Sequence, residues 1–392
     1  MAIVVSHAIQ YYAPWFQHLA ARPEMSIRVF YLSDHGVAAR RDRQFGGTFT
    51  WDTDLLSGYA HEFVPNQAAR PDVTRFSGLR NPGLRAALAA FSPHAVVLFG
   101  YACRTNLGLL LRPPAPIVFR GDSHLLGAPP PRGLKRLLLS LIFRRCSAFL
   151  PVGRANTDYY HHYGVPASRL FLAPHAVNQA HFTATPELQA AAAAQRATLG
   201  IPAEAPVVLF AGKLIPKKRP DLLLSAFLEA AVPGSHLVLS GDGELQPSLR
   251  AAAQGRADVH FLPFANQSAM PARYLLGDVF VLPSEGRHET WGLAVNEAMH
   301  LGLPCIVSDQ VGCHLDLLKP PHPSLPSAQT GWVFRAGDGR ALASILRSAL
   351  SLGRPGLAVL GEQARAHAAA WSYTAATAGL AAALDSLNPP AP

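Results

Sequence analysis

Two glutamates lie eight residues apart in the segment 283–299, on either side of a predicted loop-to-helix junction. Glu289 precedes the first predicted turn and Glu297 lies inside the helix. On one straight helix this spacing would rotate the side chains by about 80°, but with Glu289 in the loop both can face one pocket. The unpaired N–H groups of a helix N-terminus suit a phosphate, and carboxylates beside it suit sugar hydroxyl groups. The pair therefore fits a nucleotide sugar; the alternative is a surface helix with two solvated glutamates.

A cluster of lysines lies at 213–218, between an apolar run and a predicted helix at 222–230. Lys213, Lys217 and Lys218 are three of the five lysines in a chain that otherwise prefers arginine. Random sequence drift does not readily explain this clustering, which favours a functional role. The alternative is a solvated basic loop before a helix. Lys217 and Arg219 are interpreted as bystanders in this turn.

Short apolar runs alternate with helical segments, which indicates a parallel α/β architecture. In the first half the predicted strands are 2–6, 26–32, 95–100, 116–120, 148–152 and 169–173, and the predicted helices are 12–21, 81–91, 133–145 and 154–163. The strands predicted in the second half are 207–211, 236–240, 259–262, 279–283 and 304–308, and a last helical stretch covers 367–387. Two doubly wound units in series would bind ligands at the carboxyl ends of their strands.

Length and composition allow two domains of ordinary size. The 392 residues are 49% hydrophobic and 15% charged, which allows large cores and argues against disorder. A net charge of +9 suits a nucleotide sugar, an anionic membrane surface or nucleic acid, but no nucleic-acid module is recognisable and no nucleic acid partner is expected.

The cysteines and the apolar runs predict the compartment. Four cysteines lack a disulfide or metal-site spacing, so reduced thiols are expected. No signal peptide is recognisable and no apolar run reaches about 18 residues. We therefore expect a cytoplasmic protein without a membrane span, with the inner face of the plasma membrane as a further location.

The motifs around the two glutamates resemble those of retaining GT-B glycosyltransferases of the GT4 family, the glycosyl transferases group 1. That family has a glutamate, seven residues, a second glutamate, Ala-Met and then Gly-x-Pro. Glu289, Glu297 and the residues at 298–299 and 302–304 match this pattern in phase. The resemblance covers nearly the whole second half and the first half only loosely.

The resemblance implies an α/β protein of the GT-B fold class, with two Rossmann-like doubly wound domains facing a central cleft. Residues 1–178 would form the N-terminal, acceptor-side domain, and residues 179–366 the C-terminal domain that binds the nucleotide sugar. Residues 367–392 would form a C-terminal helix that packs back on the first domain, followed by a loose tail.

The resemblance also implies roles for the candidate residues. Glu289 would contact hydroxyl groups of the transferred sugar, and Glu297 the ribose. Lys213 and Lys218 have the family's spacing of five and would bind the diphosphate as leaving group, each charge-assisted bond contributing about 1.5–3 kcal/mol. The phosphates would lie near backbone at 290–293 and the nucleobase near Phe264. The implied donor-binding residues besides the glutamates and lysines are Gly212, Gly241, Gly243, Phe264, Thr290, Trp291, Gly292 and Leu293.

In the first half, His124 follows the strand predicted at 116–120, where the family often has a histidine that reaches the transferred sugar. The alternative is a structural histidine, since the chain has 17. The turn at 6–14 lacks the glycine pair of many relatives and resembles instead a bacterial subgroup with His-x-Ile-Gln-Tyr. His175 and Asn178 depart from the family's hinge pattern and are interpreted as structural.

Asp52 and Asp54 form an Asp-x-Asp pair, which holds a divalent metal in GT-A transferases. Here the pair lies in the first half, far from the donor motifs, and is interpreted as a loop. We expect no metal and no cofactor beyond the nucleotide sugar co-substrate, since two lysines and a helix end can supply the positive charge.

The segment 133–145 is a basic, apolar helix with two interpretations. A membrane-surface helix mixes such residues and would give peripheral membrane contact. The favoured interpretation is a buried crossover helix with basic ends.

These observations predict a retaining, metal-independent hexosyltransferase. It would use a UDP- or GDP-linked sugar and a glycan or lipid-linked acceptor, in bacterial cell-surface polysaccharide synthesis. Two alternatives stay open. One is a nucleotide-sugar epimerase of GT-B fold, which would act on donor alone, and the other is a catalytically idle GT-B subunit that binds a partner enzyme.

Overall fold

The computed structural model describes residues 1–37, 40–42, 47–127, 129–286, 289–321 and 328–387. The strands of the first half are β1 (Ala2–Val5), β2 (Arg28–Tyr31), β3 (Arg40–Asp42), β4 (Gly47–Phe49), β5 (His61–Phe63), β6 (Val96–Phe99), β7 (Ile117–Arg120) and β8 (Ala148–Phe149). Those of the second half are β9 (Val207–Ala211), β10 (His236–Ser240), β11 (Val259–Leu262), β12 (Val279–Leu282), β13 (Cys305–Ser308) and β14 (Gly331–Phe334).

Helices follow the strands in both halves. In the first half they are α1 (Ala13–Ala20), α2 (Leu84–Phe91), α3 (Arg104–Leu111), α4 (Leu134–Phe143) and α5 (Arg154–His162). The second half contains α6 (Pro186–Thr198), α7 (Pro220–Ala230), α8 (Gln246–Ala252), α9 (Met270–Tyr274), α10 (Leu293–His300), α11 (His314–Leu317), α12 (Gly339–Leu350), α13 (Gly353–Ala368) and α14 (Tyr373–Asp385).

Each half contains a six-stranded parallel sheet with the same connectivity. The orders are β5-β2-β1-β6-β7-β8 and β11-β10-β9-β12-β13-β14. Counted within its own sheet, each order is the 3-2-1-4-5-6 arrangement of a doubly wound unit. The prediction of two such units in series is confirmed. The domain boundaries at 178 and 366 stay predictions.

The central strands form because their sequences are apolar and rich in β-branched residues. Every side chain of β1 (Ala-Ile-Val-Val) and β9 (Val-Val-Leu-Phe-Ala) is buried, as expected for parallel strands covered by helices on both faces. One core cluster fills the second half, whereas the first sheet separates two clusters on its opposite faces.

The predicted elements differ from the observed ones mainly at the sheet edges. The strand predicted at 169–173 is only an isolated bridge between Phe149 and Leu170, because a 3₁₀ turn at Ala167–Arg169 directly precedes it. The edge strand β5 was not predicted, since its sequence His-Glu-Phe is partly polar and short. Helix α3 and strand β14 were also missed.

The last helical stretch is broken rather than continuous. Helix α13 ends at Ala368, and α14 begins after Ser372, whose Oγ accepts a hydrogen bond from the N–H of Ala375 at 3.1 Å. This is the N-cap that stops one helix from running into the next. The tail at 388–392, predicted to be loose, lies outside the described residues.

Helix α14 packs on the first half of the chain. Nε1 of Trp15 in α1 donates a hydrogen bond to Oγ1 of Thr377 at 3.1 Å. Further along α14, a Cβ atom added to Gly379 would lie 1.9 Å from the carbonyl oxygen of Leu172. Only glycine permits this close approach of α14 to the backbone at Leu172, in the segment that follows α5.

Helix α4 carries the crossover from β7 to β8. It buries Leu139 and Phe143 but leaves four of its leucines exposed, so the interpretation as a buried helix is wrong for that face. Within the part of the chain that the structure describes, no helix combines the length and the apolar character needed to cross a bilayer.

Candidate active site

A cavity of about 400 Å³ lies between the two halves and is lined by residues of both. It is bordered by the loops that follow the carboxyl ends of β1 and β7 in the first sheet and of β9, β10 and β12 in the second. The predicted site residues that line it are Gly212, Lys213, Lys218, Gly241, Phe264, Glu289, Thr290, Trp291, Gly292, Leu293 and Glu297. Gly243 and His124 are not among the lining residues.

Glu289 lies just before α10 and is 8% exposed. Its Oε2 forms an ion pair with Nζ of Lys218 and accepts a hydrogen bond from Oγ of Ser284 at 2.8 Å. Burial alone would raise the pKa of Glu289, but the charge of Lys218 and these hydrogen bonds together bring the pKa below its usual value. Glu289 is therefore an anion at neutral pH and is paired with the ammonium group of Lys218.

Lys218 reaches Glu289 because a 3₁₀ turn at Pro216–Lys218 follows the loop after β9. Lys217 also lines the cavity, so its interpretation as a bystander is wrong in position. Burial and the neighbouring Lys218 lower the pKa of Lys217. Arg219 is directed elsewhere and pairs with Asp221 at 3.3 Å.

Glu297 lies in the second turn of α10 and is 2% exposed. Its Oε2 accepts a hydrogen bond from the hydroxyl of Tyr274 at 2.6 Å. Oε1 is buried, with no hydrogen-bond partner in the described residues. Burial raises the pKa of Glu297 to about 7, and the nearby hydroxyl groups of Tyr274 and Tyr11 act in the opposite direction. One oxygen of this carboxyl group is therefore available for a ligand hydroxyl.

Gly292 caps the N-terminus of α10 with φ of 95°. A Cβ atom there would lie 2.7 Å from Cγ1 of Val311, so only glycine fits this left-handed turn. No side chain caps the helix, and its first residues, Leu293 and Ala294, line the cavity. The N–H of Val295 donates to the carbonyl oxygen of Gly292, and the N–H groups of Leu293 and Ala294 leave a place for an anion.

The two glycines of the Gly-x-Gly turn allow close packing of loops. A Cβ atom on Gly241 would lie 1.9 Å from the carbonyl oxygen of Gly212, and one on Gly243 would lie 2.4 Å from that of Leu214. The turn therefore brings the loop after β10 against the loop after β9, at the floor of the cavity. Gly243 acts in this packing and does not itself line the cavity.

Asp242, between those glycines, connects the turn to the next strand. Its Oδ2 accepts a hydrogen bond from the backbone N–H of Phe264 at 3.0 Å. This bond holds Phe264, which follows β11, at the wall of the cavity.

Asp122 is a cavity residue that sequence reasoning missed. It follows β7, and its Oδ2 accepts a hydrogen bond from Oγ1 of Thr290 at 2.8 Å and lies 4.0 Å from Nε2 of His175. Burial and the nearby Arg120 lower the pKa of His175 well below its usual value, so His175 is neutral. The available signal was the position of Asp122 at a strand's carboxyl end, where ligands bind in such sheets.

Both ring nitrogens of His124 are engaged. Nδ1 accepts a hydrogen bond from the N–H of Leu126 at 3.1 Å, which leaves Nε2 to donate to the carbonyl oxygen of Glu289 at 3.1 Å. His124 thus joins the two halves directly behind Glu289. Its contact with the transferred sugar stays a prediction.

Tyr11 occupies the turn where a glycine pair is missing. It lines the cavity and packs against the core of the second half. Burial and the charge of Glu297 raise its pKa well above the usual value. The hydroxyl of Tyr373 in α14 donates to the carbonyl oxygen of Tyr11 at 3.3 Å. An aromatic side chain from the first half therefore stands next to the carboxyl group of Glu297.

Asp52 and Asp54 bind different backbone segments. Asp52 Oδ1 accepts from the N–H of Ser268 at 3.2 Å, across the two halves. Asp54 Oδ1 accepts from the N–H groups of Leu56 and Ser57, both at 3.0 Å. Each aspartate is thus engaged in shaping a loop.

The strand orders and the cleft between the sheets are those of glycosyltransferases with two Rossmann-like domains. The protein has the GT-B fold. Anabaena HepE in complex with UDP superposes with a TM-score of 0.72 and 17% identity, over 98% of this chain and 100% of that one. WaaG, a glycosyltransferase involved in lipopolysaccharide biosynthesis, superposes with a TM-score of 0.64 and 17% identity, over 96% of this chain and 98% of that one. The predicted fold class is confirmed.

Sequence comparisons match about half of this GT-B protein. Residues 192–367 match the model of the family glycosyl transferases group 1. A D-inositol 3-phosphate glycosyltransferase of Thermobispora bispora is 32% identical over 233 residues, 56% of this chain and 51% of the relative. The sulfoquinovosyl transferase SQD2 of Arabidopsis thaliana is 32% identical over 174 residues, 44% of this chain and 32% of the relative. The chain thus spans about a third to a half of the curated relatives it matches.

Proposed function

We propose that the protein is a retaining glycosyltransferase that moves a hexose-type sugar from a nucleoside diphosphate sugar to a glycan or lipid-linked acceptor. The observation that carries the proposal is the cavity between the sheets. It combines an ion-paired carboxylate, a buried carboxyl oxygen without a partner, lysines and a helix N-terminus. These groups match the sugar, the ribose and the diphosphate of one molecule.

The site suggests where each part of the donor binds. Glu297 offers Oε1 to a ribose hydroxyl, and the wall at Phe264 suits the base. Lys213, Lys218 and the N-terminus of α10 hold the diphosphate. Once Lys218 turns towards phosphate, Glu289 is left to accept hydrogen bonds from sugar hydroxyls. The ion pair between them therefore keeps both groups charged and placed before the donor arrives.

The reaction itself is a displacement at the anomeric carbon. The oxygen of the acceptor hydroxyl forms the new bond on the face that the diphosphate leaves, and the bond from that carbon to the phosphate oxygen breaks. The acceptor proton passes to the leaving phosphate, and the configuration is retained. The protein contributes position and charge stabilisation. The lysines and the helix end supply positive charge to the leaving group, which supports a reaction without a metal ion.

The ligands of similar solved structures support a nucleoside diphosphate sugar as the donor. Similar solved structures contain UDP, UDP-glucose or ADP. We propose a UDP- or GDP-linked sugar here, and a role in bacterial cell-surface polysaccharide synthesis at the inner face of the plasma membrane.

The first experiment is a thermal-shift panel with UDP, GDP, ADP and TDP, each with and without Mg²⁺. Wild type is compared with Glu297→Ala. A ligand at about 100 times its Kd stabilises the folded state by about 2.7 kcal/mol. We expect one nucleotide to raise the Tm without Mg²⁺, and less so in the variant. No shift with any of the four nucleotides would contradict donor binding at this cavity.

A second experiment separates transfer from the other reactions of this fold. The sugar nucleotide of the preferred base is incubated with and without acceptor oligosaccharides, and products are followed by NMR. Transfer with retained anomeric configuration is expected. Conversion of the donor sugar in the absence of acceptor would indicate an epimerase instead, and nucleotide binding without any turnover would indicate an idle subunit.

A further inference from the structure

Helix α4 presents an apolar stripe to solvent. Its members, called here the α4 stripe, are Leu134, Leu137, Leu138 and Leu141, which are 70%, 55%, 50% and 45% exposed. They are spaced i, i+3, i+4 and i+7, so they lie on one face of the helix. Single exposed leucines are common on protein surfaces, but four on one face form a patch that calls for an explanation.

Positive charge surrounds the stripe. The exposed basic residues at and beside α4 are Arg132, Lys135, Arg136, Arg144 and Arg145. Between Asp122 and Asp158 the sequence contains no aspartate or glutamate. The segment therefore combines an apolar face with cations that no acidic residue of the same segment neutralises.

We propose that the α4 stripe docks the protein on an anionic membrane surface. The helix has ten residues, about half the length needed to cross a bilayer, so it would lie in the plane of the interface. The leucines would enter the acyl boundary while the basic side chains contact lipid phosphates. Each basic residue near such a surface strengthens binding roughly fivefold.

Charge favours a membrane over a second copy of the chain. A two-fold contact through α4 would bring the same patch of each copy together. The five basic residues would then face their own equivalents, with no acidic residue from this segment between them. An anionic lipid surface instead complements every one of those charges.

The place of α4 in the first half relates the docking to the cavity. The helix follows β7 in the chain, and Asp122, which also follows β7, lines the cavity. Docking would hold the first half, which forms one wall of the cavity, at the membrane surface, and this suits a lipid-linked acceptor. The docking itself does not rest on the glycosyltransferase proposal and can be tested without substrates.

The test is flotation of the full chain with vesicles of phosphatidylcholine, alone or mixed with phosphatidylglycerol. We expect binding to the mixed vesicles and little to the neutral ones. Leu137→Ser/Leu138→Ser should weaken binding at least about tenfold, because two partly inserted side chains are lost. The matched control is Leu352→Ser/Val359→Ser, which replaces equally exposed apolar residues (44% and 60%) of the second half and should bind as wild type does.

A second pair of variants tests the charge. Lys135→Gln/Arg136→Gln should weaken binding to the mixed vesicles on the order of thirtyfold and reduce its salt dependence. Arg335→Gln/Arg340→Gln removes two exposed cations from the second half and should have little effect. An unchanged Tm without ligand establishes that each variant is folded.

Three results would overturn the proposal. The first is wild type that binds neither kind of vesicle, or both equally. The second is a leucine variant that floats with the mixed vesicles as wild type does. The third is a dimer in sedimentation that the leucine variant dissociates, which would assign the stripe to a second copy of the chain.

Discussion

Both halves of this GT-B protein use the same strand order, yet the loops at their carboxyl ends differ in chemistry. In the second half they bring glycines, lysines and the two glutamates into the cavity. The first half contributes mostly aromatic and apolar side chains there, such as Tyr11, Tyr12 and Trp51, with Asp122 as its acidic group. The comparison teaches that one sheet supplies most charged groups of the cavity, while the other supplies mainly aromatic and apolar walls.

The same contrast holds away from the cavity. The second half buries its helices in one continuous core, whereas the first half exposes the leucines of α4 and receives α14 from the end of the chain. The first half therefore carries an exposed helix face, while the second half supplies most charged groups of the cavity. Variants in both halves test this contrast, from the largest expected effect to the smallest.

Lys218→Ala should have the largest effect, because it removes a cation from the leaving group. We expect kcat to fall by about 10²–10³-fold, as when one preorganised donor is removed from a developing anion. The measurement is turnover at saturating donor. The neighbouring variant Lys217→Ala is the control and should lose much less. Equal losses of kcat in the two variants would mean that turnover depends on the total positive charge of the cavity and not on the position of Lys218.

Glu297→Gln should remove a pH dependence of stability. Burial raises the pKa of Glu297 to about 7 from its ordinary value of 4.5, so the folded state binds its proton more tightly than the unfolded state does. This contribution is fully present below pH 4.5 and is lost as the pH rises through about 7. The change is on the order of 3 kcal/mol.

The measurement is the free energy of urea unfolding of both proteins across that pH range. Wild type should lose stability relative to Glu297→Gln as the pH rises. A constant difference would show that this carboxyl group is less desolvated than the structure indicates. The variant should also raise the KM for the donor more than it lowers kcat, since Oε1 binds the ribose in the proposed site.

Gly379→Ala should loosen the attachment of α14 to the first half. The added methyl group would overlap the carbonyl oxygen of Leu172, and overpacking of this kind costs about 1–3 kcal/mol. Gly108→Ala in α3 is a matched control, since no atom lies within 4 Å of its added Cβ. That control should be neutral or stabilising by about 0.5–1 kcal/mol. Equal Tm values for the two variants would contradict the close approach.

The smallest expected effect concerns the hydrogen bond between the halves. A double-mutant cycle with Asp122→Asn and Thr290→Val should give a coupling of about 1 kcal/mol in unfolding free energy. The acceptor kinetics of Asp122→Asn should change more than its donor KM. Zero coupling would mean that the two halves meet there without a persistent contact, as in an open cleft.

Much of the second half was predictable from sequence because its elements are strongly patterned. The strands at 207–211, 236–240 and 259–262 have the predicted bounds, since each is a short apolar run between turn residues. The spacing of Glu289 and Glu297 required only that one precede a helix and the other lie within it. Edge strands such as β5 carry no such pattern.

The first half was predicted less well because its cavity residues lack a motif. Asp122 becomes a candidate only when Thr290 and His175, 168 and 53 residues away, are seen beside it. His124 was singled out from its place in the sequence, but which atoms its two nitrogens contact depends on how the halves meet. The exposure of the α4 leucines likewise follows from what the neighbouring helices leave uncovered.

The sequence by itself determined the two doubly wound units, the glutamate pair and the lysine turn, because local periodicity and short spacing encode them. Only the tertiary structure decided that Lys218 pairs with Glu289, that Tyr11 stands beside Glu297 and that α14 returns to the first sheet. Lys218 and Glu289 are 71 positions apart, and the other two contacts join residues more than 200 positions apart. Burial, desolvation and ion pairing arise from such distant contacts, and no local pattern of residues contains them.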